Sequence, residues 1–218
     1  MKKILKSCFK NVSFLLILMF WGLCFTQNAN SKSVVVIDPG HGGLDAGAVG
    51  FGIQEKNITL AIAQEMLRLN QILFENQLEI YLTRYADTLV SLTDRNRLAK
   101  TLHADAFVSI HCNASKHFAR GIEVFVPKGI GIYSYNSLAL ANCMLKNYHH
   151  KLGFESRGIK TANFAVLRTS IPHYPAVLIE MGFISQSDEA GYFSNPKHIT
   201  AMALALLEGL YHQLNSKL

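Results

Sequence analysis

The sequence predicts a single α/β domain built on a largely parallel sheet with helices on both faces. Short apolar segments alternate along the chain with longer segments of helical periodicity, which is typical of this class. The short segments are apolar throughout, as expected for strands whose two faces are both covered by helices. The 218 residues suffice for one core, and no repeat or low-complexity linker divides them.

The elements follow one another from residue 33 onwards. Buried strands are predicted over residues 33–38, 78–83, 106–111, 121–126, 164–167 and 176–180. Helices with apolar residues at three- and four-residue steps are predicted over 58–73, 91–102, 138–152 and 199–214, the first of them capped by Asn57. A glycine-rich loop over residues 39–54 joins the first strand to the first helix. Its length suggests a functional segment.

The first 30 residues have the pattern of a secretory signal peptide. Lysines at positions 2, 3, 6 and 10 precede a predominantly apolar run over residues 12–25. That run is shorter than the roughly 20 residues that span a bilayer. Cleavage is predicted after Thr26 or Ala29, and residues 31–218 are expected to form an exported domain in the periplasm or cell envelope. An uncleaved membrane anchor is the alternative.

Charge and cysteine content narrow the function once the leader is set aside. The whole chain carries 21 basic and 15 acidic residues, but four of the lysines lie in the leader. The remaining net charge is too small for a nucleic-acid-binding surface, so no nucleic acid partner is expected. Cys112 and Cys143 remain after cleavage. Their apolar surroundings favour two buried thiols over a disulfide.

Chemistry-bearing side chains collect where the predicted strands end. His41 follows the first strand, His111 ends the third and Glu180 ends the last, while Glu55 closes the glycine-rich loop. The carboxyl ends of parallel strands form the usual ligand-binding edge of such sheets. Two imidazoles and a carboxylate with one open position are typical of catalytic zinc, and a further carboxylate would serve as general base. The spacing leaves open which glutamate binds the metal and which acts as base.

Several motifs in this order resemble a known enzyme family. They are the segments 36–48 (VIDPGHGGLDAGA), 55–57 (EKN), 92–95 (LTDR), 108–114 (VSIHCNA), 163–168 (NFAVLR) and 177–185 (VLIEMGFIS). Together they resemble the zinc-dependent N-acetylmuramoyl-L-alanine amidases of the third amidase class. The resemblance covers nearly all of residues 33–214. One departure is Gln186, where the family commonly has asparagine.

The resemblance sorts the roles of the candidate residues. It implies one zinc ion held by His41, Glu55 and His111, with Glu180 as the catalytic carboxylate. The implied reaction is hydrolysis of the amide between N-acetylmuramic acid and L-alanine in peptidoglycan. Asp38 is expected to orient a ligand histidine, or else to cap the following loop. Arg168 is expected to bind a substrate carboxylate or to form a structural salt bridge.

Two other functions compete with the amidase, namely a zinc peptidase that cuts within stem peptides and a non-catalytic cell-wall-binding module.

Related amidases of cell division carry an inserted plugging helix after the strand that corresponds to residues 121–126. Only residues 127–132 stand there before helical periodicity resumes. A monomer that needs no activator protein is therefore expected.

Overall fold

A computed structural model of the chain describes residues 32–215, so the predicted leader lies outside the described residues. The domain is organised around a six-stranded sheet in the order β4-β1-β5-β8-β6-β7. The strands are β1 (Ser33–Pro39), β4 (Leu78–Leu82), β5 (Ala106–Asn113), β6 (Ile122–Pro127), β7 (Ser156–Ala162) and β8 (Ala176–Phe183). A two-stranded hairpin, β2 (Val49–Gly50) and β3 (Ile53–Gln54), stands apart in the glycine-rich loop.

Strand directions explain where the site forms. Strands β4, β1, β5 and β8 are parallel neighbours, so their carboxyl ends share one edge of the sheet. Strand β6 runs antiparallel to β8, and β7 runs parallel to β6. The predicted largely parallel α/β sheet is confirmed, with β6 and β7 reversed at one side.

Helices cover the two faces unequally. They are α1 (Glu55–Leu73), α2 (Leu92–Thr101), α3 (Ser134–Leu152), α4 (Ala165–Arg168), α5 (Ser187–Phe193) and α6 (Pro196–Asn215). The long helices α1, α3 and α6 enclose the larger core on one face. The other face holds a smaller core around Val36, Phe107 and Leu178, against which α2 and α4 pack. Because α2 and α4 are short, they leave this second face uncovered near the carboxyl ends of β5 and β8.

Two local predictions are wrong. Residues 164–167 were expected to form a strand, but they lie at the start of the single-turn helix α4, whereas the edge strand β7 lies just before them. Helix α1 begins at Glu55 rather than after Asn57, and its N-cap is Gln54, which makes no side-chain capping bond. By contrast, α2 lies where a helix was predicted over residues 91–102, and Ser91 caps it, because its side chain accepts a hydrogen bond from the Asp94 amide.

Two further sequence expectations concern cysteines and membrane spans. Cys112 and Cys143 are both free thiols, the first buried and the second half-buried. No helix within residues 32–215 combines the length and the apolar character needed to cross a bilayer.

Candidate metal centre and groove

The glycine-rich loop delivers His41 to the sheet edge in a constrained conformation. His41 has a φ of 61°, in the left-handed region that side-chain-bearing residues seldom adopt. Its ring is held from outside by Asp45, whose Oδ2 lies 2.8 Å from His41 Nδ1. This contact leaves the other ring nitrogen, Nε2, facing inward. Such strain is tolerated where the surroundings fix the residue, as at a binding site.

Glu55 brings the two histidines together. Its Oε1 lies 3.1 Å from His41 Nε2 and 2.8 Å from His111 Nδ1. Each of the three side chains offers one possible ligand atom, and these three atoms lie within 4.8 Å of one another. The structure therefore assembles the predicted triad of His41, Glu55 and His111 from the loop, the start of α1 and the end of β5.

Backbone donors fix the Glu55 carboxylate in this position. The amides of Ala48 and Cys112 donate to Oε2 and Oε1 over 2.7 and 3.0 Å. Burial alone would raise the pKa of Glu55, but hydrogen bonds with His111 and His41 outweigh it and lower the pKa to about 2. The hydrogen bond to Glu55 in turn raises the pKa of His41 to about 9. At neutral pH the cluster thus holds an ionised carboxylate between the two histidine rings.

Glycines make room for this arrangement at two points. A Cβ on Gly40 would lie 2.3 Å from the His111 ring, and one on Gly47 would lie 2.5 Å from Glu55 Oε2. Gly47 also has a positive φ of 65°. The loop backbone can therefore approach the two side chains only because these positions lack side chains.

Glu180 lies beside the triad but is not part of it. It is paired in register with His111 on the adjacent parallel strand. Its Oε2 is buried and has no hydrogen-bond partner within the described residues. Burial raises the pKa of Glu180 to about 7. A buried, unpartnered carboxylate oxygen next to a candidate metal site has the properties expected of a general base.

Within residues 32–215, Asp38 makes no direct hydrogen bond to either histidine ring, and its expected role in orienting a ligand histidine stays a prediction. Its Oδ1 accepts from Thr83 Oγ1 and Arg95 Nη1, each at 2.6 Å, and its Oδ2 accepts from Ser109 Oγ at 2.7 Å. Arg95 also donates to the carbonyl of His41 over 2.7 Å. Asp38 therefore acts on the loop through Arg95, which is closer to the alternative expectation of a loop anchor.

The buried Asp38–Arg95 pair gives a stability prediction. We expect Arg95→Met to lower the free energy of unfolding by about 3 kcal/mol, because removing one partner leaves the other charge buried. The matched control is Arg97→Met on the same helix, since Arg97 is exposed and pairs only with the exposed Asp94 among the described residues. Urea unfolding of both variants measures the difference, and equal midpoints would contradict the anchoring role.

An open groove of about 850 Å³ runs past these residues. Its walls include five of the six predicted site residues, namely Asp38, His41, Glu55, His111 and Glu180, and also Asp45, Asp94, Asn113 and Phe164. Arg168 lies exposed at the end of α4, and the groove wall near it consists of Phe164, Ala165 and Val166. A substrate-binding role of Arg168 stays a prediction.

The sequence alone predicts no role for Asp45, which lies in the glycine-rich loop. Its position four residues after His41 was the available signal, because the turn at Gly42–Asp45 brings its carboxylate against the His41 ring. Arg84, which donates to the Gly40 carbonyl at 2.9 Å, was missed entirely.

The fold and the site together define a class of protein. It is an α/β enzyme with two histidines and a carboxylate gathered at the sheet edge, and with a second carboxylate beside them, one oxygen of which has no hydrogen-bond partner in the described part of the chain. This donor set is typical of metal-dependent hydrolases.

Comparison with known proteins identifies the family. Residues 35–212 match the family model described as N-acetylmuramoyl-L-alanine amidase. The sporulation-specific N-acetylmuramoyl-L-alanine amidase of Bacillus subtilis is 38% identical, over 84% of this chain and 69% of its own. An amidase structure from Clostridium difficile 630 aligns with a TM-score of 0.77 and 33% identity, over 85% of this chain and 98% of its own. The catalytic domain of CwlV from Bacillus (Paenibacillus) polymyxa gives 0.75 and 35%, over 84% and 99%.

The chain belongs to the N-acetylmuramoyl-L-alanine amidase family. It is a hydrolase with peptidoglycan amidase activity, and the resemblance stated from its motifs is confirmed.

Proposed function

We propose that the chain is an exported, zinc-dependent amidase that cleaves the bond between N-acetylmuramic acid and L-alanine. The observation that carries the proposal is the triad of His41, Glu55 and His111 next to the unpartnered Oε2 of Glu180. Two imidazole nitrogens and one carboxylate oxygen suit zinc with an open coordination position. The residues present therefore fit one zinc ion.

The proposal gives a distinct role to each of the chain's own residues at the site. A zinc ion held by the triad would supply Lewis-acid polarisation of the amide carbonyl and of the attacking water. Glu180 accepts the proton of that water at Oε2, for which no donor within residues 32–215 competes, and passes it to the leaving amine of L-alanine. Asp45 keeps the His41 ring turned so that Nε2 faces the site.

The product pattern and its dependence on metal test this proposal. Residues 31–218 suffice for the test, because the isolated CwlV catalytic domain matches this domain over 99% of its length. We expect the purified domain to release peptides with free L-alanine amino termini from intact glycan. A chelator should abolish the release and added zinc should restore it. Mass spectrometry of the products would reveal cuts inside the stem peptide for a peptidase and no cuts for a wall-binding module.

The same experiment, performed without any other protein, tests the expectation that no activator is required. Only residues 128–133 separate β6 from α3, which is too short for a helix of several turns at 1.5 Å rise per residue. A related amidase, CwlD of Clostridioides difficile, with 25% identity and a TM-score of 0.76, was solved in complex with the GerS lipoprotein. Release of peptides only after a partner is added would contradict this expectation.

Export is part of the proposal because the substrate lies outside the cytoplasm. The support is the basic and apolar leader pattern in residues 1–30. We expect the mature protein to begin between Gln27 and Lys32 and to act in the periplasm or cell envelope. An intact chain from Met1 in the cytosol would contradict it.

A further inference from the structure

The open face of the sheet continues beyond Glu180 towards the edge strand. Glu180 on β8 is paired in register with Glu123 on β6. Side chains directly opposite each other on antiparallel strands lie on the same face. His111, Glu180 and Glu123 therefore form a row across three neighbouring strands, and the next strand outward is β7.

Two cations of β7 meet the last carboxylate of this row. Arg157 Nε lies 2.9 Å from Oε2 of Glu123, and the ammonium group of Lys160 binds the same oxygen. Asn113 Nδ2 donates to the other oxygen of Glu123 over 2.8 Å. The Glu123 side chain is 5% exposed, whereas those of Arg157 and Lys160 are 31% and 42% exposed. The Glu123 carboxylate thus accepts hydrogen bonds from three side chains.

The cluster carries a surplus positive charge on an accessible surface. Within residues 32–215, Arg157 and Lys160 have no carboxylate partner other than Glu123. Each cation lies over an aromatic ring, Arg157 over Phe183 and Lys160 over Phe125, which helps to fix its position. The Phe125 ring packs against Phe164, a residue of the groove wall, so Lys160 lies near the groove. Donor hydrogens that Glu123 does not engage remain available to an incoming anion.

The part of the groove wall next to β1 carries acidic side chains, because Asp45 follows β1 and the helix of Asp94 packs against β1. Asp45 and Asp94 line it, and their side chains are 52% and 44% exposed. An anionic chain that leaves the site would therefore be repelled on the β1 side and attracted on the β7 side. Strand β7 is two strands from β8, or about 10 Å, which an extended peptide crosses in about three residues.

We propose that Arg157 and Lys160 form a binding site for a carboxylate of the leaving stem peptide, within three residues of the cleaved amide. The inference rests on the proposed function, since it takes Glu180 as the point where the bond breaks. Stem peptides carry such carboxylates on their second residue, a glutamate linked through its side chain, and on some diamino acids at the third.

Substrates with and without the carboxylates test the site. Peptidoglycan with free stem carboxylates and the same material with those carboxylates converted to amides would be compared with wild-type enzyme and Lys160→Met. We expect Lys160→Met to raise the apparent KM on the free-carboxylate substrate about tenfold, the effect of one charged hydrogen bond, and to leave the KM on the amidated substrate unchanged. Arg157→Met should behave similarly, and Lys160→Arg should retain most of the wild-type KM.

Lys128→Met is the matched control, because Lys128 is exposed just beyond the far end of β6. Equal effects of Lys160→Met on both substrates would overturn the inference and assign Lys160 a structural role. Wild-type enzyme that cleaves neither substrate would instead refute the proposed function. Muropeptides amidated only at the second or only at the third residue then show which carboxylate is bound, and discrimination at neither position would also overturn the inference.

Discussion

Glu180→Gln is expected to retain its zinc and lose its activity. The amide has the size of the carboxylate but cannot accept a proton, and general-base catalysis contributes about 10²–10⁴-fold. Since Glu180 lies beside the triad without belonging to it, the three ligand atoms should keep their positions. We therefore expect a loss of at least about 100-fold in peptide release. Metal content measured by mass spectrometry should match that of the wild type.

The control for this variant is Glu155→Gln, an exposed glutamate that should leave both activity and metal content unchanged. Full activity of Glu180→Gln would show that another group takes the proton. Loss of zinc together with activity would show that Glu180 is a ligand, and the division of roles between the two glutamates would then be wrong.

The strands that enclose the site were predictable because they are buried on both faces. Apolar runs such as Ala106–Ile110 and Ala176–Ile179 have the length of a buried strand and are shorter than an ordinary helix, and the structure places them at the centre of the sheet. Their order along the sheet was not predictable, because it depends on which helix faces pack together. The reversal of β6 and β7 likewise has no local sequence signal.

At the edge of the sheet, the pattern of apolar residues does not identify the strand. Strand β7 reads SRGIKTA, with one strongly apolar residue, because only one of its sides is paired and much of it is exposed. The apolar run that follows it, Phe164–Leu167, looked more like a strand but forms a single helical turn against α2. A short apolar run does not distinguish a buried strand from a buried helical turn.

The candidate site divides in the same way. His41, His111 and Glu180 were recognisable because strand ends at one sheet edge must converge, and Glu55 because it closes the same loop. The contact between Asp38 and Arg95 joins residues 57 apart, and no pattern in either segment predicts it. The pairing of Glu123 with Arg157 and Lys160 depends equally on β6 and β7 being neighbours. Residues that hold and extend the site thus became visible only with the fold.

A graded loss of zinc is the second large effect that we expect. His111→Ala removes a ligand outright and should leave no measurable zinc and no activity. Asp45→Asn weakens only the contact that orients His41, and such supporting contacts are worth about 10–100-fold in metal affinity. Its activity should therefore return at high zinc concentration, whereas that of His111→Ala should not.

The matched control for this series is His117→Ala, since His117 is exposed just beyond the end of β5 and is no part of the triad. Zinc titration of the chelator-treated proteins, followed by peptide release from sacculi, measures all three variants on one scale. The expected order of apparent zinc affinity is His117→Ala, equal to wild type, then Asp45→Asn, then His111→Ala. Wild-type zinc binding by His111→Ala would refute the triad as the metal site, because only His41 and Glu55 would then remain to hold the ion.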